Sequence, residues 1–94
     1  MGSPMHELSL MSDLLGKATR VVEDAGADRA VLVGVRLGAL SHMSEEHLRG
    51  HFETASVGTV LEGADLMVDV ATDPADPHAQ DVMLVHVDVA AAEV

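Results

Sequence analysis

The residues best suited to chemistry stand near the start of the chain, in Met5-His6-Glu7-Leu8-Ser9-Leu10. An imidazole and a carboxylate sit side by side at the mouth of an apolar-periodic stretch. If Met5 carries the free amine, four donors lie within three residues. They are the α-amine, the His6 amide nitrogen, the His6 imidazole, and the amide nitrogen or carboxylate of Glu7. Consecutive donors close fused chelate rings, and a square-planar nitrogen and oxygen set suits Ni²⁺ or Cu²⁺. The same residues also read as a polar helix start with Glu7 at the positive dipole end.

Other histidines give weaker signals. His47 and His51 are four apart, which puts both rings on one helix face, as in two-histidine metal sites; His42 and Glu46 are close in sequence. His78 lies among Asp73, Asp76 and Asp81, which reads as a solvated acidic turn. His86 alternates with valines and reads as a surface histidine. The chain has no cysteine nucleophile, glycine-rich phosphate loop or Gly-x-Ser-x-Gly elbow, so an enzyme is not expected.

Composition narrows the field. The chain has 94 residues, enough for one small domain with a single core. Its core must be aliphatic, because Phe52 is the only aromatic residue. With 16 acidic and 5 basic residues the formal charge is −11, which argues against nucleic acid and anionic membranes as partners and favours a cation. The absence of cysteine rules out disulfides and thiolate metal sites within the chain. No apolar run approaches the ~20 residues of a membrane span, and the expected location is the cytoplasm. Met1-Gly2-Ser3-Pro4 reads as a cloning remnant, so residues 5–94 form the expected domain. Met1 as the encoded start is the alternative.

These residues need elements to position them. Glu7 to about Ala25 is helical, with Leu8, Met11, Leu15, Ala18 and Val22 at helical spacing, Leu14, Val21 and Ala25 widening the stripe, and Gly26 at C′. Val31 to Leu37 is a strand with Val31, Val33, Val35 and Leu37 inward. Ser44 caps a second helix, with Met43 and Leu48 placed as a hydrophobic staple, a buried stripe of Leu48, Phe52 and Ala55, and Gly58 at C′. Asp65 to Ala71 is a strand with Leu66, Val68 and Val70 inward. Val82 to Val89 is a third, with Met83, Val85, Val87 and Val89 inward. Thr72 to Asp81 is a solvated turn, and Ala90 to Val94 a loose tail.

The expected fold is α/β (α+β): two helices on one face of a three-stranded mixed sheet, in the order helix-strand-helix-strand-strand. The helix between the first two strands favours a parallel crossover, and the short link between the last two favours an antiparallel pair. The other sheet face would carry Leu32, Met67, Val82 and Leu84 beside Arg36, Asp69, His86 and Asp88. That surface suits a protein contact, and it reads equally as the scattered aliphatics that ordinary protein surfaces carry.

The opening Met5-His6-Glu7-Leu8-Ser9-Leu10 resembles the opening motif of the HypA/HybF family of hydrogenase nickel-incorporation proteins. The likeness continues through Val35-Arg36-Leu37-Gly38-Ala39-Leu40-Ser41, Leu48-Arg49, Phe52-Glu53, Gly58-Thr59 and Glu62-Gly63-Ala64-Asp65-Leu66. The resemblance implies a nickel metallochaperone that binds Ni²⁺ through Met5, His6 and Glu7. It would pass the metal to a hydrogenase large-subunit precursor together with a maturation GTPase; some members serve urease. Family members also carry a zinc domain with two Cys-x-x-Cys pairs between the second and third strands, where this chain has only the Thr72 to Asp81 turn, so no structural zinc is expected. The alternative is a non-metal module that docks on a hydrogenase-related partner through the exposed sheet face. A homodimer is left open.

Overall fold

A computed structural model describes residues 4–41 and 43–91, with side chains from Leu10 onward. The elements are α1 (Pro4–Asp24), β1 (Arg29–Leu37), α2 (Glu45–Ala55), β2 (Asp65–Val70) and β3 (Val82–Ala90). Both helices pack on one face of a three-stranded mixed sheet, as the hydrophobic periods require.

Proline fits the first turn of a helix, where its missing N–H is not needed, and α1 accordingly starts at Pro4 rather than Glu7. It ends in a Schellman turn. Gly26 takes φ 67°, its N–H bonds the Glu23 carbonyl at 3.0 Å, and the Ala27 N–H bonds the Val22 carbonyl at 3.1 Å. The buried stripe of α1 is Met11, Leu14, Ala18 and Val22, with Leu15 at its margin. Val21 and Ala25, expected to widen it, are exposed.

Ser44 caps α2 by accepting a hydrogen bond from the His47 N–H at 3.1 Å. Met43 and Leu48 are both buried, which completes the staple. Further along, the stripe keeps to steps of four. It runs Leu48, Phe52, Ser56, so Ser56 is buried and Ala55 is exposed. The positive φ of Gly58 falls one residue beyond the expected C′ position, since Ser56 is the C-cap. Leu61, in the turns that follow, is fully buried.

The strand order is β2-β1-β3. β1 and β2 are parallel, as expected of a helical crossover. The expected antiparallel pair of β2 with β3 does not form; β3 pairs antiparallel with β1 instead. β1 is the most deeply buried strand and takes the centre, where both its edges are bonded. The connector from Ala71 to Asp81 is long enough to step across the ~10 Å of two strand spacings. It crosses the end of β1. The Ala71 N–H bonds the Leu37 carbonyl at 2.8 Å, the Gly38 N–H bonds the Asp81 carbonyl at 2.9 Å, and the Leu40 N–H bonds the Ala79 carbonyl at 2.7 Å. Gly38 makes this crossing feasible. A Cβ there would run into the Ala79 carbonyl and lie 2.6 Å from the His78 carbonyl oxygen.

Two bulges reset which valines face the core. Ala30 pairs with Val89 and Leu32 with Asp88, so Val31 is an extra residue on β1. Ala30 therefore turns inward and Val31 outward, contrary to strict alternation. On β3, Gly34 pairs with His86 and Val35 with Leu84, which leaves Val85 extra. Val87 and Val89 pack on the core as expected, but before the bulge it is Val82 and Leu84 that do so, not Met83 and Val85. Val70, also expected inward, is half exposed at the end of the edge strand β2.

Candidate metal site at one end of the helix layer

The first turn of α1 holds Met5, His6 and Glu7. The opening N–H groups of a helix have no intrahelical acceptor, so the amide nitrogens of Met5 and His6 precede the hydrogen-bond ladder. The side chains of these three residues lie outside the described part of the structure, as does His42.

The helix directions place this turn within the fold. α1 leads directly into β1, β1 is parallel to β2, and α2 spans the crossover between them. The Ala30 N–H at the start of β1 bonds the Val60 carbonyl just beyond α2, at 2.8 Å. Both helices therefore end at the same end of the layer, and both begin at the other. A groove between them is lined by Met11, Leu15 and Thr19 on one side and His51, Ala55 and Thr59 on the other. The Met5-His6-Glu7 turn and the capped start of α2 share one end.

His47 and His51 occupy the expected common face of α2, and their rings stack with centroids 5.9 Å apart. The remaining described histidines pair with single carboxylates at separate places. His78 Nδ1 lies 3.0 Å from Asp81 Oδ2, and His86 Nε2 lies 2.6 Å from Asp88 Oδ1. The turn around His78 is built by its own aspartates: Asp73 accepts from the Ala75 N–H at 2.9 Å and Asp76 from the His78 N–H at 2.8 Å. Among the described residues, no three histidine, aspartate or glutamate side chains converge on a common point.

The uncovered sheet face carries Leu32, Met67, Met83 and Val85, with Arg36 Nε bonded to Asp69 Oδ2 at 3.1 Å. Val82 and Leu84, expected here, lie on the core side because of the β3 bulge.

Residues 5–78 match the family described as hydrogenase/urease nickel incorporation, metallochaperone, HypA. The chain belongs to the HypA family. The match opens on Met5, the first residue of the motif, and stops in the connector before β3. The hydrogenase maturation factor HypA of Chloroflexus aurantiacus is 38% identical over 65 residues, covering 69% of this chain and 57% of that protein. That of Roseiflexus sp. is 42% identical over 65 residues, covering 69% of this chain and 53% of its own length. The Archaeoglobus fulgidus HypA is 36% identical over 66 residues, covering 70% and 60% respectively. This chain thus spans little more than half the length of these HypA relatives.

The HypA family consists of metallochaperones, not enzymes. Thiolate zinc ligation does not fit this member, because the chain has no cysteine. Among the described residues, no helix is long and apolar enough to cross a membrane.

Periodicity and caps located both helices, and the motif located the candidate ligands. Single-chain spacing did not show that the start of α2 lies beside the start of α1. The parallel crossover was the available signal, since it forces the two helices to run in the same sense.

Proposed function

We propose that Met5, His6 and Glu7 bind Ni²⁺ and that this chain carries the ion to the large-subunit precursor of a hydrogenase, working with a maturation GTPase. The observation that carries the reading is the family match, which begins on the Met-His-Glu motif itself. The placement at a helix start supports it, because backbone nitrogens that precede the helical ladder are available as donors. The charge of −11 supports it too, by favouring cations over anionic partners. An open site with few protein ligands suits a carrier, which must release its metal. Residues 5–94 act in this reading as one nickel-binding domain, with the Ala71 to Asp81 connector standing where relatives would carry a zinc lobe.

Calorimetric titration with Ni²⁺ tests this on a chain beginning at Met5. Stoichiometric binding is expected, weakened by roughly a hundredfold in His6→Ala. Titration curves that do not differ between the two proteins, or no heat in either, would defeat the nickel role.

The uncovered sheet face favours a second, compatible role as a docking surface. Met67 and Val85 are each more than 60% exposed there, beside the acidic Asp65, Asp69 and Asp88. This combination matches a partner surface with an apolar centre and basic margins, such as one on the hydrogenase precursor.

A further inference from the structure

The two outer edges of the sheet are finished differently. β2 forms one edge and β3 the other, with β1 between them. The β2 edge is six residues long and carries Asp65 and Asp69. The Ala71 N–H bonds the Leu37 carbonyl of β1, so by alternation the Leu66 carbonyl faces away from β1. Arg49 of α2 closes over it there, donating from Nη1 at 2.8 Å. Short length, charge and a covering side chain all keep an edge from pairing with another strand. β3 is longer, at nine residues, and its single acidic residue, Asp88, stands in a mostly aliphatic run. The bulge at Val85 interrupts the strand but leaves residues 86–90 regular. Among the described residues no other strand borders its outer edge.

Hydrogen bonds on the β1 side fix what that outer edge presents. The Asp28 N–H bonds the Ala90 carbonyl at 3.0 Å, so the Ala90 carbonyl faces β1. The Ala30 N–H turns away from β3 to the Val60 carbonyl, so Ala30 and Val89 form a non-bonded pair. Bonded and non-bonded pairs alternate along an antiparallel ladder. His86 and Asp88 therefore direct their backbone groups to β1, and Val87 and Val89 direct theirs outward.

We propose that β3 pairs antiparallel with β3 of a second copy of this chain, about a two-fold axis through Val87, so that the two sheets become continuous. A two-fold axis makes the contact self-complementary. Val87 then meets Val87 of the second copy, and their outward N–H and C=O groups form the mutually bonded central pair. His86 meets Asp88 twice, once on each side of the axis. Each Asp88, already 2.6 Å from its own His86, has two carboxylate oxygens and can accept from both imidazoles. Neighbouring registers lose this match. An axis through Asp88 sets two carboxylates face to face, and one through His86 sets the two imidazoles face to face. The core-facing Leu84, Val87 and Val89 are only half-buried at this edge and gain cover, because both helix layers fall on the same side of the joined sheet. This self-complementary charge pattern selects a second copy over a strand of another protein. The contact is small and each chain carries −11, so association is weak and needs salt, which screens repulsion beyond about 8 Å at physiological strength.

Sedimentation equilibrium of the full chain at about 0.15 M salt tests this. The 9.8 kDa mass should approach its double as concentration rises towards about 1 mM, the range expected of a weak interface. His86→Asp sets carboxylates against each other twice and should weaken association about tenfold. Adding Asp88→Lys to it restores opposite charges across the axis and should recover the loss. Asp88→Lys alone lowers the net negative charge and would strengthen association if overall repulsion decided it; it should weaken association instead. Both side chains are more than half exposed, so the fold tolerates these changes. In amide exchange, Val87 and Val89 should become protected with rising concentration while Leu66 and Val68 of β2 do not change. A chain that stays monomeric at the highest concentration leaves this edge to a strand of another protein and overturns the proposal. So does a dimer indifferent to these substitutions, or one that protects β2 or perturbs Leu32 and Met67 of the open sheet face instead.

Discussion

The two faces of the sheet are built from the same residue types and serve opposite ends. On the helix side, Val33, Val35 and Leu37 are almost completely buried against α1 and α2. On the other side, Val85 and Met67 are 63% and 61% exposed. Valines occupy both, so residue identity does not separate them. What separates them is phase. The extra residue Val31 on β1 and the extra residue Val85 on β3 each shift alternation by one position, and every side chain beyond changes face. The comparison teaches that an uncovered apolar face can arise from backbone register as well as from composition.

The largest disruption should come at the lip where the two faces meet. Gly38→Ala places a methyl group against the backbone of Ala79 and His78, and backbone cannot swing away as a flexible side chain can. A loss of about 3 kcal/mol is expected in urea unfolding. A change below 1 kcal/mol would mean that the connector does not cross β1 so closely.

A smaller contrast tests the bulge itself. Val87 and Val85 are the same residue two positions apart on one strand, and simple alternation would put them on the same face. Val87→Ala removes core contacts and should cost about 1.5 kcal/mol, while Val85→Ala should stay within about 0.5 kcal/mol. Equal losses in thermal or chemical unfolding would return β3 to unbroken alternation.

The smallest effect concerns the ion pair of the outer face. Both Arg36 and Asp69 are more than half exposed at a separation of 3.1 Å, so Asp69→Ala should change stability by less than about 0.5 kcal/mol. Any effect it has should shrink further in 1 M salt. A loss above 1 kcal/mol would show that this face is less solvated than its exposure indicates.

Much of the architecture was legible in advance because the signals were local. The Ser44 cap, the Met43 and Leu48 staple and the Gly26 turn each depend on residues within one or two helical turns, and each formed as read. The inward set of β3 was only half legible, since nothing in Val82 to Val89 marks Val85 as the residue to be skipped. Strand pairing was misread for a related reason. A short connector favours a hairpin, but the burial gained by centring β1 outweighs that preference, and it depends on all three strands at once. Leu61 went unseen because turns carry no period that would flag a buried position.

For the candidate sites the division is similar. The motif at Met5, His6 and Glu7 and the spacing of His47 and His51 are written in the chain, since ligand type and helical period are properties of neighbouring residues. That these two groups share one end of the helix layer was decided by the tertiary structure. It follows from a parallel crossover that aligns α1 with α2, and only long-range strand pairing can impose that alignment.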